Sequence, residues 1–367
     1  MTLQGISLSL RKVFGHLDGM LLALVCAVLL ISAATVFSAS GQSMPRMTGH
    51  LINMGLALGV MIVMANIPPH LLARTGPLLY TVGVVLLIGV ALFGEVRNGA
   101  RRWIDLGFAF QPSELLKLAL PLMLAWYFQR NETILGWKHH AMGGLLLVVP
   151  FVLILRQPDL GTALLIGASG FYLLFFAGLS WKIIVGGITV VLASLPLVWN
   201  MMHGYQRQRV MTLLDPGSDP LGAGYHIIQS TIAIGSGGLS GDGWMRGTQN
   251  QLDFIPERTT DFVFAVFGEE FGYIGVIVLL LLYLGITARG LVIAARAPTL
   301  FGRLMAGTIS LNFFTYVFVN MGMVSGVLPV VGVPLPLMSY GGTAMITLLL
   351  GLGIIMSVAT HRQLNKS

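Results

Sequence analysis

Asp261 is the carboxylate best placed for chemistry in this 367-residue chain. It closes a polar interval spanning residues 202–261 and stands at the mouth of the next apolar run. A carboxylate there stays within reach of water and can accept a proton. As a general base it would contribute roughly 10²–10⁴-fold in rate. Asp before an apolar run also suits a helix N-cap, and the two roles are compatible. The same interval carries Arg207, Arg209, Arg246 and Arg258, whose charge would favour the ionised aspartate. Asp215, Asp219, Asp242 and Asp253 share the interval and are candidates to pair with those arginines.

Other ionisable groups fall inside apolar runs, where each is a functional hypothesis by default. Glu114 and Lys117 lie in QPSELLKLALPLMLAWYF. Their spacing puts both on one helix face. Two readings stand: a neutralising pair that fixes packing, or a polar feature lining a cavity between the fourth and eighth apolar runs. Upstream, VRNGARRWIDLGFAFQ mixes basic, aromatic and apolar residues, as an interfacial or re-entrant segment would. Trp103 there is an interfacial anchor, or it lines a site together with Arg102. In RTTDFVFAVFGEEFGYIG, Glu269 lies about 80° and Glu270 about 180° around a helix from Asp261, at about 100° per residue. They cannot share one cavity with Asp261 on a straight helix, and are expected to be buried and hydrogen-bonded, or protonated. Ser339 and Tyr340, in PVVGVPLPLMSYGGTA, either line a cavity or make a tight connection.

These groups need elements to hold them. The chain is 55% hydrophobic and 10% charged, far below the roughly 25% charge of a soluble domain. It reads as one polytopic membrane domain over residues 1–367, all-α, with about ten transmembrane helices and one large extracytoplasmic loop near 202–261. The apolar runs are near 18–38, 49–67, 75–95, 113–128, 141–155, 160–178, 182–201, 262–288, 304–326 and 342–360, and about 20 residues suffice to cross. The first is too long for a signal-peptide core, so the N-terminus is expected to remain uncleaved. An even count puts both termini on one side. Basic residues in the short loops, with Arg11 and Lys12 before the first run, favour a cytoplasmic placement of both. The basic residues then left outside are all arginines, whose planar fork suits phosphate. The net charge of +7 suggests anionic lipid or a lipid-linked anion rather than nucleic acid. The single cysteine, Cys26, permits neither an internal disulfide nor a cysteine metal site. No HExxH or Walker-type motif occurs.

From about residue 18 to 360 the sequence resembles the SEDS (shape, elongation, division and sporulation) family of bacterial membrane proteins. The resemblance is carried by RRWIDLGFAFQPSELLK, QPDLGTA, YQRQRVMTLLDPGSDPLGAGYHIIQS, AIGSGGLSGDGW, PERTTDFVFAVFGEEFG and PLPLMSYGG. The IPER, GSGGLSGDGW and GTQNQLDF segments favour the elongation branch of the family over the division branch. The resemblance implies a peptidoglycan glycosyltransferase of the bacterial cytoplasmic membrane that polymerises lipid II on its outer face during cell elongation. It implies as partners the growing glycan strand, a class B penicillin-binding protein transpeptidase and the elongation machinery. Asp261 matches the family's essential aspartate, Glu114 and Lys117 its polar pair in the fourth span, and Arg102 and Trp103 residues at its outer cavity. Many relatives have histidine where this chain has Thr259, which leaves the base role to Asp261.

The implied reaction is attack of a sugar 4-hydroxyl on the anomeric carbon of a strand linked to polyprenyl pyrophosphate. Donor α and product β linkages make it a single inverting displacement. It needs a base, for which Asp261 fits. It also needs positive charge on the departing pyrophosphate, for which Arg207, Arg209 and Arg258 are candidates. No cofactor is assigned; a divalent cation such as Mg or Mn would add to that charge. Two other readings are a lipid II flippase or transporter, and a non-catalytic scaffold for a partner synthase. The first predicts polar residues spread through the depth of several spans, whereas here they gather at the outer ends. The second leaves Asp261 and the arginines without a task.

Overall fold

The computed structural model describes residues 15–361 apart from 98–99, 106–108, 158, 203 and 220–221. Arg11 and Lys12 lie outside the described residues. Each of the ten expected runs is a helix: α1 (Gly19–Ala39), α2 (Met44–Ala65), α3 (Pro69–Phe93), α4 (Pro112–Arg130), α5 (Trp137–Leu155), α6 (Leu160–Phe176), α7 (Trp181–Met201), α11 (Val263–Ala295), α12 (Leu300–Val324) and α13 (Gly342–Thr360). Seven of these are long and apolar enough to cross a membrane. Between α7 and α11 lie three shorter helices, α8 (Gly204–Leu214), α9 (Ala223–Ser236) and α10 (Thr248–Gln251). The interfacial segment after α3 is a small antiparallel ribbon, β1 (Glu95–Arg97), β2 (Ala100–Asp105) and β3 (Ala109–Phe110). It is a local departure from an otherwise helical chain.

Local chemistry sets the helix starts. Asp18 accepts from the Leu21 amide at 3.0 Å, and Thr299 accepts from Gly302 N at 3.1 Å. Asp159 does the same for Thr162 N at 3.1 Å, so three helices begin on a side-chain cap. Pro112 occupies the first turn of α4, where its missing N–H costs nothing.

The connections gather at two ends. At one end, Arg102 bonds Gln157 O, Gln111 bonds Asp159, and Tyr340 N bonds Thr259 O. At the other, His140 approaches Ala177 O, Arg303 pairs with Glu132, and Asp18 pairs with Arg289. The bidentate Arg289 contact lowers the Asp18 pKa. His16 stacks on His361 with ring centroids 4.3 Å apart. His16 and His361, near the two limits of the described residues, therefore meet at one end of the bundle.

The core is built mainly by α1, α4, α11, α12 and α13, with Leu116, Leu120, Leu124, Tyr283, Phe301, Phe313 and Leu349 almost wholly buried. α7 contrasts with them, because Val190, Val191, Leu192 and Leu197 are each more than half exposed. At about 1.5 Å per residue α11 is about 50 Å long, longer than a bilayer core. Its backbone departs from helical angles at Gly272, φ 63°. The segment from Val263 to that kink is where the large loop packs. A Cβ on Gly237 or Gly241 would lie 2.2 Å from Gly268 O or 2.1 Å from Glu270 O. Only glycine allows the loop backbone that close to the helix.

Candidate functional site

Asp261 sits in the turn that leads into α11. The helix starts on Phe262 with no side-chain cap, so Asp261 is not the N-cap its position suggested. Its backbone is held by several independent contacts on nearby residues. Asn320 of α12 donates from Nδ2 to Asp261 O at 2.8 Å and to Val333 O at 2.7 Å. Ser339 donates to Thr260 O at 2.7 Å and accepts from Leu335 N at 2.8 Å. Tyr340 N donates to Thr259 O at 2.7 Å. The loop before α13 thus clamps the 259–261 turn. Ser339 is buried and acts on the backbone, not in open space.

The Asp261 carboxylate faces Gly332, where a Cβ would lie 3.4 Å from Oδ2. Gly332 has φ 72°, and its lack of a side chain lets the backbone pass close beside the carboxylate. Burial pushes the Asp261 pKa up to about 6, with the nearby Glu257 charge adding to the rise. This reverses the sequence expectation that neighbouring arginines would hold it ionised. Arg258 instead pairs with Asp253 and donates to Asn250 O. Arg207 donates to Trp199 O at 2.9 Å and Asn200 O at 2.6 Å, at the end of α7. Arg209 lies partly buried on the same short helix, α8. A carboxyl with a pKa near neutrality is well matched to proton abstraction.

A second polar cluster lies at the same end of the bundle. Lys117 Nζ is 2.6 Å from Glu114 Oε1 and 5.6 Å from the centre of the Tyr316 ring. Glu114 Oε2 is buried without a hydrogen-bond partner. Arg102 Nη1 lies 3.9 Å from Asp159 Oδ2, which also accepts from Gln111 Nε2 at 3.0 Å. Trp103 is partly buried on β2, in register with Glu95. The predicted neighbour of α4 needs correction. α4 packs on α3, α6 and α12, the third, sixth and ninth spans, rather than mainly on the eighth. Lys117 instead lines a small cavity with Ser169 of α6, Asn312 and Tyr316 of α12 and Thr347 of α13, while α11 packs on α1 and α12.

One face of α12 joins the two clusters. Tyr316 and Asn320 are four residues apart, one turn along the same face. The first meets Lys117 and the second holds Asp261. Tyr316, Asn320, Asp159 and Gln111 are members that the sequence reading did not single out. Asp159 carried a signal, since Asp before an apolar run marks a helix start. Tyr316 and Asn320 carried none, because only packing brings them to their partners. His226 of α9 is a further neighbour, its ring 5.3 Å from that of Phe262. Burial lowers its pKa against the opposing pull of Glu257 and Asp219.

Glu269 and Glu270 are buried and hydrogen-bonded, as their spacing suggested. Glu269 accepts from Gln249 N at 2.7 Å, Asn250 N at 3.2 Å and Thr248 Oγ1 at 3.3 Å. Glu270 accepts from Ser38 of α1. They fasten the loop to the bundle, away from the Asp261 carboxylate. Among the described residues no group of three or more His, Cys, Asp or Glu side chains could hold a metal ion.

Residues 16–364 match the FtsW/RodA/SpoVE family of cell cycle proteins. The chain is 53% identical over 351 residues to the peptidoglycan glycosyltransferase MrdB of Escherichia coli K12, covering 95% of each. It is 32% identical to MrdB of Helicobacter pylori J99, over 96% of this chain and 92% of the relative. The fold superposes with a TM-score of 0.71 on the rod shape determining protein RodA of Thermus thermophilus, 30% identical, over 95% of this chain and 98% of that one. A TM-score of 0.80 at 36% identity, covering 94% and 97%, relates it to a chain from a peptidoglycan synthase complex that coordinates polymerization and crosslinking.

Proposed function

This chain belongs to the FtsW/RodA/SpoVE family, and from that premise we propose that it is a peptidoglycan glycosyltransferase of cell elongation, polymerising lipid II in the cytoplasmic membrane. It is a multi-pass membrane protein. Its substrates are lipid II and the growing glycan strand. Its partners are a class B penicillin-binding protein transpeptidase and the elongation machinery. The observation that carries the mechanism is Asp261: held through its backbone, set beside Gly332, and raised in pKa to about 6 by burial and Glu257.

Asp261 takes the proton of the acceptor's sugar 4-hydroxyl. The oxygen attacks the anomeric carbon of the donor from the face opposite its pyrophosphate. That C–O bond breaks with inversion, and the electron pair leaves with polyprenyl pyrophosphate. Lys117 and Arg102, on the face of the bundle that α12 joins to Asp261, supply positive charge for the leaving group. Such preorganised charge is usually the largest single contribution to rate. Arg207 and Arg209, on α8 at the end of α7, attract the anionic headgroup as it arrives. Trp103 follows Arg102 on β2 and so projects from the opposite face of the ribbon.

The test is direct. Purified protein in detergent, given lipid II, should produce glycan chains without another polymerase. Intact lipid II with no polymer, from monodisperse protein, would overturn the enzymatic reading. Reconstituted transport of lipid II without polymer would establish the flippase in its place.

The orientation is tested separately. With both termini cytoplasmic, the 202–261 loop faces outward. Ser218 and Asp242 are exposed in that loop. In a Cys26→Ser background, Ser218→Cys and Asp242→Cys should each react with an impermeant thiol reagent in intact spheroplasts. Labelling only after lysis would invert the topology. Gly247 is unsuitable as a probe, because a Cβ there would lie 2.6 Å from the Glu269 carboxylate.

A further inference from the structure

A cavity of about 400 Å³ lies on the loop side of the bundle, between the end of α1 and the 245–258 segment. That volume is in the range of small-molecule sites. Its walls include Ser38, Gln42, Asn250, Gln251, Asp253 and Arg258. The mechanism proposed above does not use it.

The wall chemistry narrows the ligand. Its two charged side chains, Arg258 and Asp253, are paired with each other. Arg258 also spends an N–H on Asn250 O. A pyrophosphate placed here would meet the Asp253 carboxylate beside the only cation. The remaining polar side chains are neutral: three amides and a hydroxyl. Amides and hydroxyls both donate and accept, which matches a ligand of hydroxyl and acetamido groups.

The cavity is also a built feature. Among the described residues five non-glycine residues have left-handed backbone, and Gln42 (φ 61°), Met245 (φ 63°) and Asp253 (φ 59°) all line it. Strain of this kind persists only where surrounding structure enforces it, and it gathers at functional sites. Asn250 is only 3% exposed and its Oδ1 has no hydrogen-bond partner. A buried amide oxygen left unsatisfied is costly, a second sign of local strain in this wall. Arg258 lies three residues before Asp261 and directly precedes the 259–261 turn clamped by Ser339 and Tyr340.

The geometry points to a saccharide subsite: this cavity holds an uncharged N-acetylhexosamine unit of the glycan strand next to the point of transfer. The assignment rests on the glycosyltransferase reading and names where that enzyme grips the sugar. It moves Arg258 from a pyrophosphate ligand to a structural wall of a carbohydrate site.

The probe is the soluble β-1,4-linked tetramer of N-acetylglucosamine, titrated into full-length protein in detergent and followed by saturation-transfer NMR and thermophoresis. Wild type should bind it, and excess inorganic pyrophosphate should not displace it. Gln42→Gly with Gln251→Ala changes two exposed side chains, and glycine suits the left-handed position. That double variant should lose about tenfold in tetramer affinity and make shorter glycan chains from lipid II. Asp261→Asn should bind the tetramer as wild type does. Absence of tetramer binding by an active wild type overturns the subsite, as does displacement by pyrophosphate or unchanged affinity in the double variant. Failure of wild type to polymerise lipid II would instead count against the enzymatic reading, whatever the tetramer does.

Discussion

Asp261→Asn should lower glycan polymerisation by about two orders of magnitude or more, with expression, thermal stability and partner binding kept. Asparagine has the same shape and retains the backbone carbonyl that Asn320 holds. No hydrogen bond to the aspartate side chain is lost, because helix α11 starts without a side-chain cap. Only basicity disappears. The wild-type pH profile gives an independent reading. The base works deprotonated, and its pKa stands at about 6. The rate at limiting lipid II should therefore fall as pH drops through about 6 and level off above it. Glu257→Gln removes the charge that adds to the rise, so the acid limb should move to lower pH while burial keeps it above the ordinary aspartate range. Near-normal polymerisation by well-folded Asp261→Asn would remove Asp261 from the base role and turn attention to Glu257. An acid limb unmoved by Glu257→Gln would deny the coupling of the two carboxylates.

The second large effect concerns Glu114 and Lys117. Their side chains are 22% and 11% exposed and 2.6 Å apart. Lys117→Glu alone puts two carboxylates in that space and should cost about 3–5 kcal/mol, the penalty for an uncompensated buried charge. The yield of monodisperse protein should collapse. Adding Glu114→Lys restores opposite charges and should restore folding, read by size exclusion and melting temperature. It should not restore activity, which stays about a hundredfold down. Glu114 Oε2 is buried and unpartnered. A pair that served only to neutralise itself would have no reason to keep a spare acceptor. Its counterpart Lys117 also reaches Tyr316, so exchanging the two positions moves the cation away from that ring. Full polymerisation by the double swap would reduce the pair to packing.

The ten helices were legible because apolar run length alone announces a crossing. Their ends were less so. α2 starts at Met44, before the polar residues Arg46, Thr48 and His50 that hide its first turns. α11 continues to Ala295 past Thr287 and Arg289, since Arg289 reaches Asp18 rather than solvent. Asp261 was legible from its place between a polar loop and an apolar run. Its environment was not. Arg207, Arg209, Arg246 and Arg258 are near in sequence, yet Arg258 is taken by Asp253 and Arg207 by the end of α7. What surrounds Asp261 comes from distant positions, Asn320, Gly332 and Ser339, which no local pattern could have joined to it. The pairing of Glu114 with Lys117 was readable because helix geometry is local. The contact with α12 in place of α11 was not, because apolar helix faces do not encode their neighbours.

The clamp on the 259–261 turn also has a meaning in time. Membrane proteins are made from the N-terminus onward and fold as segments emerge. Asp261 leaves the ribosome well before Val333, Leu335, Ser339 and Tyr340, the residues that fix the backbone around it. A nascent or prematurely terminated chain holds the carboxylate but not the vice that aims it. Vectorial synthesis thus withholds the assembled site until the last crossing is nearly in place. A truncated product would be inserted yet silent, unable to draw on the cell's supply of precursor.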